Sequence, residues 1–282
     1  MNTARRHVGS QGSRAIVVDG VALAYDEVGE GPTTIVCLHA IGHGAGDYRP
    51  FAAAMAPGHR VISLDWPGHG GSQDDRVPPT ATRYALLLAG FLDALGLDHV
   101  IVIGNSIGGA AAIELAATHP HRVDLLVLAN PGGIFRRSAL TRVFTLMMSR
   151  FFAAGARGAF WFGRAFSAFC KLVLPAAAAR EQRARIVASG YEVASLLRDA
   201  WASFARPESD LRALLPSIEA PVLVTWAVRD RFNPLWANAP ALATLRRSTT
   251  LRFAAGHSPF LETPGEFIAA FRAFVADNAP TA

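Results

Sequence analysis

The sequence is poor in cysteine and has no long apolar run, and each absence excludes a class of protein. Two cysteines in 282 residues are too few for a disulfide framework or a cysteine-rich metal site, so we expect Cys37 and Cys170 to be buried thiols. No uncharged apolar stretch reaches the roughly 18 residues that a membrane-spanning helix needs. The first 20 residues contain arginines but no apolar core, unlike a secretory signal. These features predict a cytoplasmic protein.

The remaining composition is that of a globular protein with alternating strands and helices. Hydrophobic residues make up 51% of the chain and charged residues 17%. Short apolar runs between amphipathic segments are typical of strands buried on both faces of a parallel sheet. We therefore predict an α/β fold with a mostly parallel sheet of about eight strands, flanked by helices. The predicted strands span residues 15–18, 21–25, 34–38, 60–64, 100–103, 125–128, 221–226 and 250–253, and the predicted helices span 82–95, 109–118, 235–245 and 264–277.

One long segment interrupts this alternation. Residues 133–210 contain no convincing strand and are rich in alanine, phenylalanine and arginine. The segment follows the sixth predicted strand, so it would lie over the carboxyl ends of the strands, where ligands bind in open α/β sheets. We predict a core formed by residues 1–132 and 211–282, with residues 133–210 inserted as a helical cap, or lid.

The most informative motif has the pattern G-x-S-x-G and reads Gly104-Asn105-Ser106-Ile107-Gly108. It stands directly between a predicted strand and a predicted helix. In that position a tight turn lifts a serine hydroxyl above the sheet, and the flanking glycines avoid a Cβ clash. The same letters also occur by chance in glycine-rich loops, so the interpretation depends on partners elsewhere in the chain. Ser106 is the candidate nucleophile.

A serine hydroxyl becomes nucleophilic only when a base accepts its proton and a third group orients that base. With this turn the expected chain order is serine, acid, histidine. Of nine histidines, His257 is the best base because it lies in a loop between the last predicted strand and the last helix. Asp230 is the best acid because it follows a buried strand, whereas the preceding strand ends in Asn130. A surface loop histidine and a surface aspartate between two arginines are the alternative interpretations.

Two backbone N–H groups should stabilise the negative oxygen of the tetrahedral intermediate. Ile107 follows the nucleophile and opens a helix, whose N-terminus favours negative charge. The second donor should come from the glycine-containing loop after the third strand. We predict the Ile41 N–H as this donor, with Gly42 as the second choice.

These motifs together resemble the α/β-hydrolase fold superfamily, in its capped branch with a serine nucleophile. The resemblance covers residues 14–279 and implies a Ser106, Asp230 and His257 triad. The matching segments, in chain order, are Leu38-His39-Ala40-Ile41-Gly42, Asp65-Trp66-Pro67-Gly68-His69-Gly70-Gly71-Ser72, Gly104 to Gly109, Asp230 with Pro234, and Gly256-His257-Ser258-Pro259.

Within the superfamily, some sequence motifs resemble those of the meta-cleavage-product hydrolases, which hydrolyse carbon–carbon bonds. The shared features are Gly-Asn-Ser-x-Gly-Gly, the spaced glycines after the third strand, and Asp-Arg-Phe at 230–232. Three positions differ from that group. Ser258 stands where a tryptophan is usual, Ala40 replaces a glycine, and the asparagine expected near Asp47 is missing. The resemblance therefore favours an ester hydrolase first and a carbon–carbon hydrolase second.

Positive charge is concentrated in the predicted cap. Between Gly133 and Arg185, ten Lys and Arg residues stand against the single acid Glu181, a charge of +9, so the rest of the chain sums to −4 of the total +5. Four of these cations recur every seven residues and would form one stripe if the segment were a single helix. With the phenylalanines between them, they suggest either a helix lying on an anionic membrane or a cap helix whose aromatics line a substrate cavity. The four cations are Arg150, Arg157, Arg164 and Lys171.

We therefore expect a hydrolase that cleaves a small apolar ester through an acyl-enzyme, with no cofactor and no metal ion. Carbon–carbon bond hydrolysis is the alternative, as is a ligand-binding protein that keeps the fold without turnover. An acyltransferase or perhydrolase would differ only in what deacylates the enzyme. No nucleic-acid-binding motif accompanies the basic segment. Peripheral contact of the cap with an anionic membrane is a further expectation, and the sequence predicts no particular oligomeric state.

Overall fold

Short buried strands joined by helices organise residues 14–278, the part of the chain that the computed structural model describes. Expectations that concern residues 1–13 and 279–282 lie outside the described residues. The strands are β1 Arg14–Val18, β2 Val21–Val28, β3 Thr33–Leu38, β4 His59–Leu64, β5 Val100–Asn105, β6 Val123–Ala129, β7 Val222–Ala227 and β8 Ser248–Phe253. The helices are α1 Arg49–Met55, α2 Ala81–Ala94, α3 Ile107–Thr118, α4 Ala139–Ala156, α5 Phe162–Val173, α6 Arg180–Ala188, α7 Gly190–Ser203, α8 Leu235–Leu242, α9 Pro259–Glu262 and α10 Pro264–Asp277.

All eight strands join one sheet in the order β1-β2-β4-β3-β5-β6-β7-β8. The pairs β1–β2 and β2–β4 are antiparallel, and every later pair is parallel. The predicted eight-stranded, mostly parallel α/β sheet is therefore confirmed. Because β3, β5, β6 and β7 run in the same direction, the loops that follow them meet at one edge of the sheet.

Strict alternation of side chains explains why the central strands are apolar at every position. In β3, Val36 and Leu38 pack into one hydrophobic cluster with α2 and α3. Ile35 and Cys37 point to the opposite cluster, which contains residues of α1 and α10. A strand covered by helices on both faces must be hydrophobic on both faces. Cys37 and Cys170 are both free and buried, as expected.

Helices α1 and α9 and strand β8 differ from the sequence expectation. The two helices are absent from the prediction because they have only seven and four residues and each has a proline in its first turn. Proline is tolerated in the first turn of a helix, where its missing N–H has no partner in any case. Strand β8 was expected to be buried, but only Phe253 among its residues is buried, since it is the edge strand of the sheet.

Four helices, α4 to α7, occupy the chain between β6 and β7. Helix α4 begins with a capping box in which Ser138 and Thr141 each bind the backbone of the other. It ends at Ala156, and Gly158 then takes a φ of +75° in the turn that leads to α5. The single cationic stripe is therefore wrong: Arg150 lies on α4, whereas Arg164 and Lys171 lie on α5. The domain boundaries at 132/133 and 210/211 stay a prediction.

Close packing of helix α3 against the sheet requires glycine at the start of that helix. A Cβ at Gly108 would lie 2.6 Å from the carbonyl oxygen of Leu38, at the end of β3. A Cβ at Gly104 would lie 2.5 Å from the carbonyl oxygen of Gly108. Both distances are far shorter than van der Waals contact, so the two glycines let β5, β3 and α3 meet where the candidate nucleophile stands.

Replacing Gly108 by alanine should therefore destabilise the protein. The added methyl group meets backbone rather than a flexible side chain, and overpacking of this kind costs about 1–3 kcal/mol. Urea unfolding followed by circular dichroism measures the change. Gly265→Ala is the matched control, because nothing lies within 4 Å of a Cβ there and alanine is the better helix former. Equal stability of the two variants would contradict the packing argument.

Candidate active site

Ser106 occupies the corner between β5 and α3 with φ 55° and ψ −116°. Positive φ is strained for a residue with a side chain, and backbone hydrogen bonds hold it in place. The Ser106 N–H donates to the carbonyl of Ala129 at 3.2 Å, and its own carbonyl accepts from Gly132 at 2.9 Å and Ala110 at 3.0 Å. The turn thus fixes a serine side chain at the wall of a cavity.

The side chains of His257 and Asp230 form a hydrogen-bonded pair. His257 Nδ1 lies 2.6 Å from Asp230 Oδ2. The other carboxylate oxygen, Oδ1, accepts the backbone N–H groups of Phe232 at 3.0 Å and Asn233 at 2.9 Å. Asp230 is buried, and a buried carboxylate is tolerated when its oxygens are hydrogen-bonded. The bond to Asp230 orients the imidazole and directs its Nε2 away from the carboxylate.

Asn130 is a second partner of Asp230, a role that no sequence motif indicates. Its Nδ2 donates to Asp230 Oδ2 at 2.8 Å, and its Oδ1 accepts the Ala227 N–H at 2.8 Å. Asn130 has a φ of 44°, a conformation that asparagine tolerates better than most residues. Asn130 therefore connects the ends of β6 and β7 to Asp230.

Glu262 is another residue that the sequence reasoning missed. Its Oε1 accepts the backbone N–H groups of Gly256 at 2.8 Å, His257 at 2.8 Å and Ser258 at 3.1 Å. Its Oε2 accepts the N–H of Ala176, in the turn between α5 and α6, at 3.3 Å. A single buried carboxylate thus shapes the loop that presents His257. A glutamate five residues after a loop histidine is the only signal that the sequence offers for it.

Burial of His257 disfavours its charged form, but the negative charge of Asp230 and their hydrogen bond outweigh this effect. With a further contribution from the charge of Glu262, they raise the pKa of His257 above its ordinary value. The raised pKa makes the imidazole a stronger base toward the Ser106 hydroxyl proton.

Asn105 joins the serine turn to the histidine loop. Its Nδ2 donates to the carbonyl oxygens of Ala129 at 2.8 Å and His257 at 3.1 Å, and its Oδ1 accepts from Ser258 Oγ at 2.9 Å. The side chain is buried. Ser258, which departs from the usual tryptophan of the meta-cleavage-product hydrolases, is therefore a buried partner of the residue that precedes Ser106.

The structure corrects the second choice for an oxyanion donor. The Gly42 N–H donates to His69 Nε2 at 2.9 Å, so this amide is not free to face a substrate. Burial lowers the pKa of His69 to about 4, which keeps its imidazole neutral and its Nε2 an acceptor. By contrast, the Ile41 and Ile107 N–H groups donate to no acceptor within residues 14–278. Ile41 lines the same cavity as Ser106.

The cavity has a volume of about 250 Å³ and is walled mainly by apolar side chains from the core and from α4, α5 and α7. Within the described residues, its lining includes no lysine, arginine, aspartate or glutamate. His43 is one of its few polar members, with Nδ1 2.5 Å from Asp47 Oδ2. The lining residues are Ala40, Ile41, His43, Ser106, Gly132, Phe135, Thr141, Phe144, Thr145, Phe169, Val173, Leu197, Ala200, Trp201, Phe204, Phe232, Asn233, Pro234, Trp236, Ala237, Asn238 and His257.

Residues 14–278 contain neither a metal-binding cluster nor a membrane-spanning helix. No group of three or more His, Cys, Asp or Glu side chains is arranged to hold a metal ion. No helix in the same range is both long and apolar enough to cross a lipid bilayer.

Residues 35–271 match the family described as the alpha/beta hydrolase family. The chain belongs to this family. It is 28% identical over 253 residues to 2-hydroxy-6-oxononadienedioate/2-hydroxy-6-oxononatrienedioate hydrolase 2 of Pseudomonas putida, and the match covers 80% of this chain and 82% of that protein. The expected relationship to the α/β hydrolases is confirmed, and the likeness to meta-cleavage-product hydrolases is found again in this relative.

Two further similarities have a narrower scope. A hydrolase of the same name from Paraburkholderia xenovorans (strain LB400) is 40% identical over 119 residues, a match that covers 40% of each chain. The solved structure of a membrane phospholipase A, a bacterial virulence factor, has a TM-score of 0.75 and 25% identity, and covers 95% of this chain and 87% of that one. The names of these relatives agree with the expectation of a hydrolase.

The charge of Glu262 should be measurable at His257. Glu262→Gln keeps an oxygen for the three loop amides but removes a negative charge that raises the pKa of His257. The pKa should therefore fall, as an NMR titration of the imidazole would detect. Glu266→Gln is the control, since Glu266 is an exposed residue of α10 and should leave the pKa unchanged. An unchanged or higher pKa in Glu262→Gln would show that Glu262 has no electrostatic effect on the base.

Proposed function

We propose that this α/β hydrolase is a serine hydrolase that cleaves an apolar ester through an acyl-enzyme intermediate. The observation that supports it most directly is the hydrogen bond between His257 Nδ1 and Asp230 Oδ2, with His257 and Ser106 on the wall of one apolar cavity. Serine, histidine and aspartate in these relations are the parts of a catalytic triad.

In the proposed reaction, Ser106 Oγ attacks the carbonyl carbon of the ester while His257 Nε2 takes its proton. The bond to Asp230 keeps the Nδ1 proton in place and stabilises the imidazolium. His257 then returns the proton to the oxygen of the leaving alcohol. Water attacks the carbonyl carbon of the acyl-enzyme while His257 Nε2 takes one of its protons. His257 then returns this proton to Ser106 Oγ as the bond between Oγ and the acyl carbon breaks, which releases the carboxylic acid and restores Ser106.

The Ile41 and Ile107 N–H groups are the proposed oxyanion donors. Ile107 is the first residue of α3, so its amide belongs to the positive end of the helix. Ile41 lies in the loop whose next amide is tied to His69, and this tether limits how far the loop can move. Donors held in advance of the reaction stabilise the developing charge without a reorganisation cost.

The chemistry of the cavity favours an uncharged substrate. The name of the Pseudomonas putida relative's substrate, a dioate, denotes two carboxylate groups. Binding such a dianion in an apolar cavity would leave its charges without partners, because no lysine or arginine among the described residues lines it. An ester with an apolar acyl or aromatic part needs no such partner.

Hydrolysis of a carbon–carbon bond is the second candidate. The relative whose name implies this chemistry aligns with 80% of the chain, and the sequence around Ser106 has the Gly-Asn-Ser-x-Gly-Gly wording of that group. The side-chain amide of Asn105, however, is already hydrogen-bonded at both its nitrogen and its oxygen, to Ala129, His257 and Ser258. It therefore has little hydrogen-bonding capacity left for a substrate.

Ser106→Ala should abolish hydrolysis of short p-nitrophenyl esters, by about 10⁵-fold or more, without loss of the fold. A fluorophosphonate probe should label the wild-type protein at Ser106 and fail to label this variant. Ser217→Ala is the matched control, because Ser217 is exposed, does not line the cavity and donates its hydroxyl to the Leu214 carbonyl. Labelling that persists in Ser106→Ala would disprove the proposed nucleophile. Tight ligand binding with negligible turnover of the wild type would support a non-catalytic binding protein instead.

The two candidate bond types can be compared on one enzyme sample. We expect kcat/KM for p-nitrophenyl butyrate to exceed that for 2-hydroxy-6-oxononadienedioate. The apolar cavity would remove water from the two carboxylates of this dienoate and offer no hydrogen-bond partners in its place. Ester hydrolysis is followed by released nitrophenol and dienoate cleavage by loss of its absorbance. A higher kcat/KM for the dienoate would replace the ester proposal with the second candidate.

A further inference from the structure

The helices α4 and α5 and the turn between them have an extreme charge balance. Residues 133–173 contain seven lysines and arginines and no acidic residue. Six of the seven are exposed, and none of the six forms an ion pair within the described part of the chain. The exposed cations are Arg136, Arg142, Arg150, Arg157, Arg164 and Lys171.

Between these cations, α4 presents apolar side chains to solvent. Val143 is 63% exposed and Met147 is 55% exposed, with Leu146 beside them at 37%. Their spacing of three and four residues places them on one face of the helix, which continues to Arg150. The opposite face, with Met148 and Phe152, is buried in the cap. A solvated helix face would ordinarily be polar, so the outward face of α4 has the composition of a contact surface.

The turn after α4 adds two exposed aromatic side chains. Phe160 is 93% exposed and Trp161 is 42% exposed, although the neighbouring Phe162 is fully buried. Arg157 precedes the pair and Arg164 follows it, both exposed. Aromatic tips flanked by arginines are typical of segments that enter the boundary between lipid headgroups and acyl chains.

We propose that this surface, the cap outer face, docks on an anionic lipid bilayer. The cap outer face consists of Val143, Leu146, Met147, Phe160 and Trp161 with the six exposed cations. An anionic bilayer offers negative headgroups and an apolar layer beneath them over the whole area, which matches both components.

A second copy of the chain is the poorer partner. A two-fold symmetric contact brings the same patch of each subunit together, and each copy would bring its own cations without any acid from residues 133–173 to neutralise them. An acidic protein could satisfy the cations, but it would have to expose apolar surface to match Phe160 and Met147. Both are distinguishable from a bilayer by experiment.

The position of α4 also connects the surface to the cavity. Thr141, Phe144 and Thr145 of the same helix line the cavity on its inner side. Trp236 lines the cavity and is 80% exposed, so the cavity opens to the surface beside it. Docking through α4 would therefore place a wall of the cavity within one helix diameter of the bilayer, roughly 10 Å.

Co-sedimentation with vesicles tests the proposal without any hydrolysis, if the Ser106→Ala protein is used beside the wild type. We expect both to bind vesicles of phosphatidylcholine with phosphatidylglycerol at low salt, to bind pure phosphatidylcholine far less, and to dissociate as salt screens the charges. Absence of binding to the anionic vesicles at low salt would overturn the proposal. Failure of the proposed function would leave this result unchanged, because neither lipid binding nor its measurement requires turnover.

Two sets of variants locate the binding surface. The triple change Arg150→Gln, Arg157→Gln and Arg164→Gln should weaken binding by roughly 100-fold, since each cation near the bilayer contributes about a fivefold factor. The control removes the same charge from exposed arginines of the core, by Arg76→Gln, Arg246→Gln and Arg247→Gln, and should retain binding. Equal loss in both triple variants would mean that only net charge matters, which contradicts a defined surface.

The apolar part is tested by the double change Phe160→Ser and Trp161→Ser, which should reduce vesicle binding at least tenfold. Hydrolysis of a soluble ester should not change, because neither residue lines the cavity. Sedimentation velocity provides the last check. A wild-type dimer that this double variant converts to monomer would assign the surface to a second copy and overturn the lipid proposal.

Discussion

The buried carboxylate of Asp230 is the interaction on which the rest of the site depends. Burying an ionised group without partners is strongly unfavourable, so its four hydrogen bonds are a condition for the fold as well as for chemistry. They come from the imidazole of His257, the amide of Asn130 and two backbone N–H groups. Because these donors belong to three different loops, satisfying one charge fixes the loops after β6, β7 and β8 relative to each other.

Glu262 repeats this solution one layer further out. Asp230 holds the side chain of His257, whereas Glu262 holds the backbone of the same loop through three amides. The two carboxylates also act together on charge, because both favour the protonated form of His257. Both the position and the proton affinity of His257 therefore depend on the same two carboxylates.

The sequence predicts those parts of the site that depend on short-range order. Ser106 is recognisable because a strand, two glycines and a helix are contiguous there, and Asp230 and His257 because each follows a strand. The parallel sheet follows from apolar runs such as that of β3.

The sequence does not reveal contacts between residues that are distant along the chain. Asn130 and Asp230 are 100 residues apart, and Asn105 and Ser258 are 153 residues apart. The prediction of Gly42 as an oxyanion donor is wrong for the same reason, because the acceptor of its N–H, His69, lies 27 residues away in the chain. The prediction of one cationic stripe with a seven-residue period is wrong because α4 ends before Gly158, and a turn at this glycine separates it from α5.

Helices α4 to α7 share one hydrophobic interior with the sheet. One apolar cluster contains sheet residues such as Ile35 and Val127 together with Phe152 of α4 and Phe166 of α5. The hydrogen bond from the Ala176 N–H to Glu262 joins the turn between α5 and α6 to the loop of His257. The inner face of α4 is therefore constrained by packing and by the cavity that it lines. Its outer face is less constrained, because Val143 and Met147 are mostly exposed. Exposed apolar side chains confer no benefit on folding and increase the risk of aggregation. Their presence among cations without acids agrees with the proposed contact with an anionic bilayer.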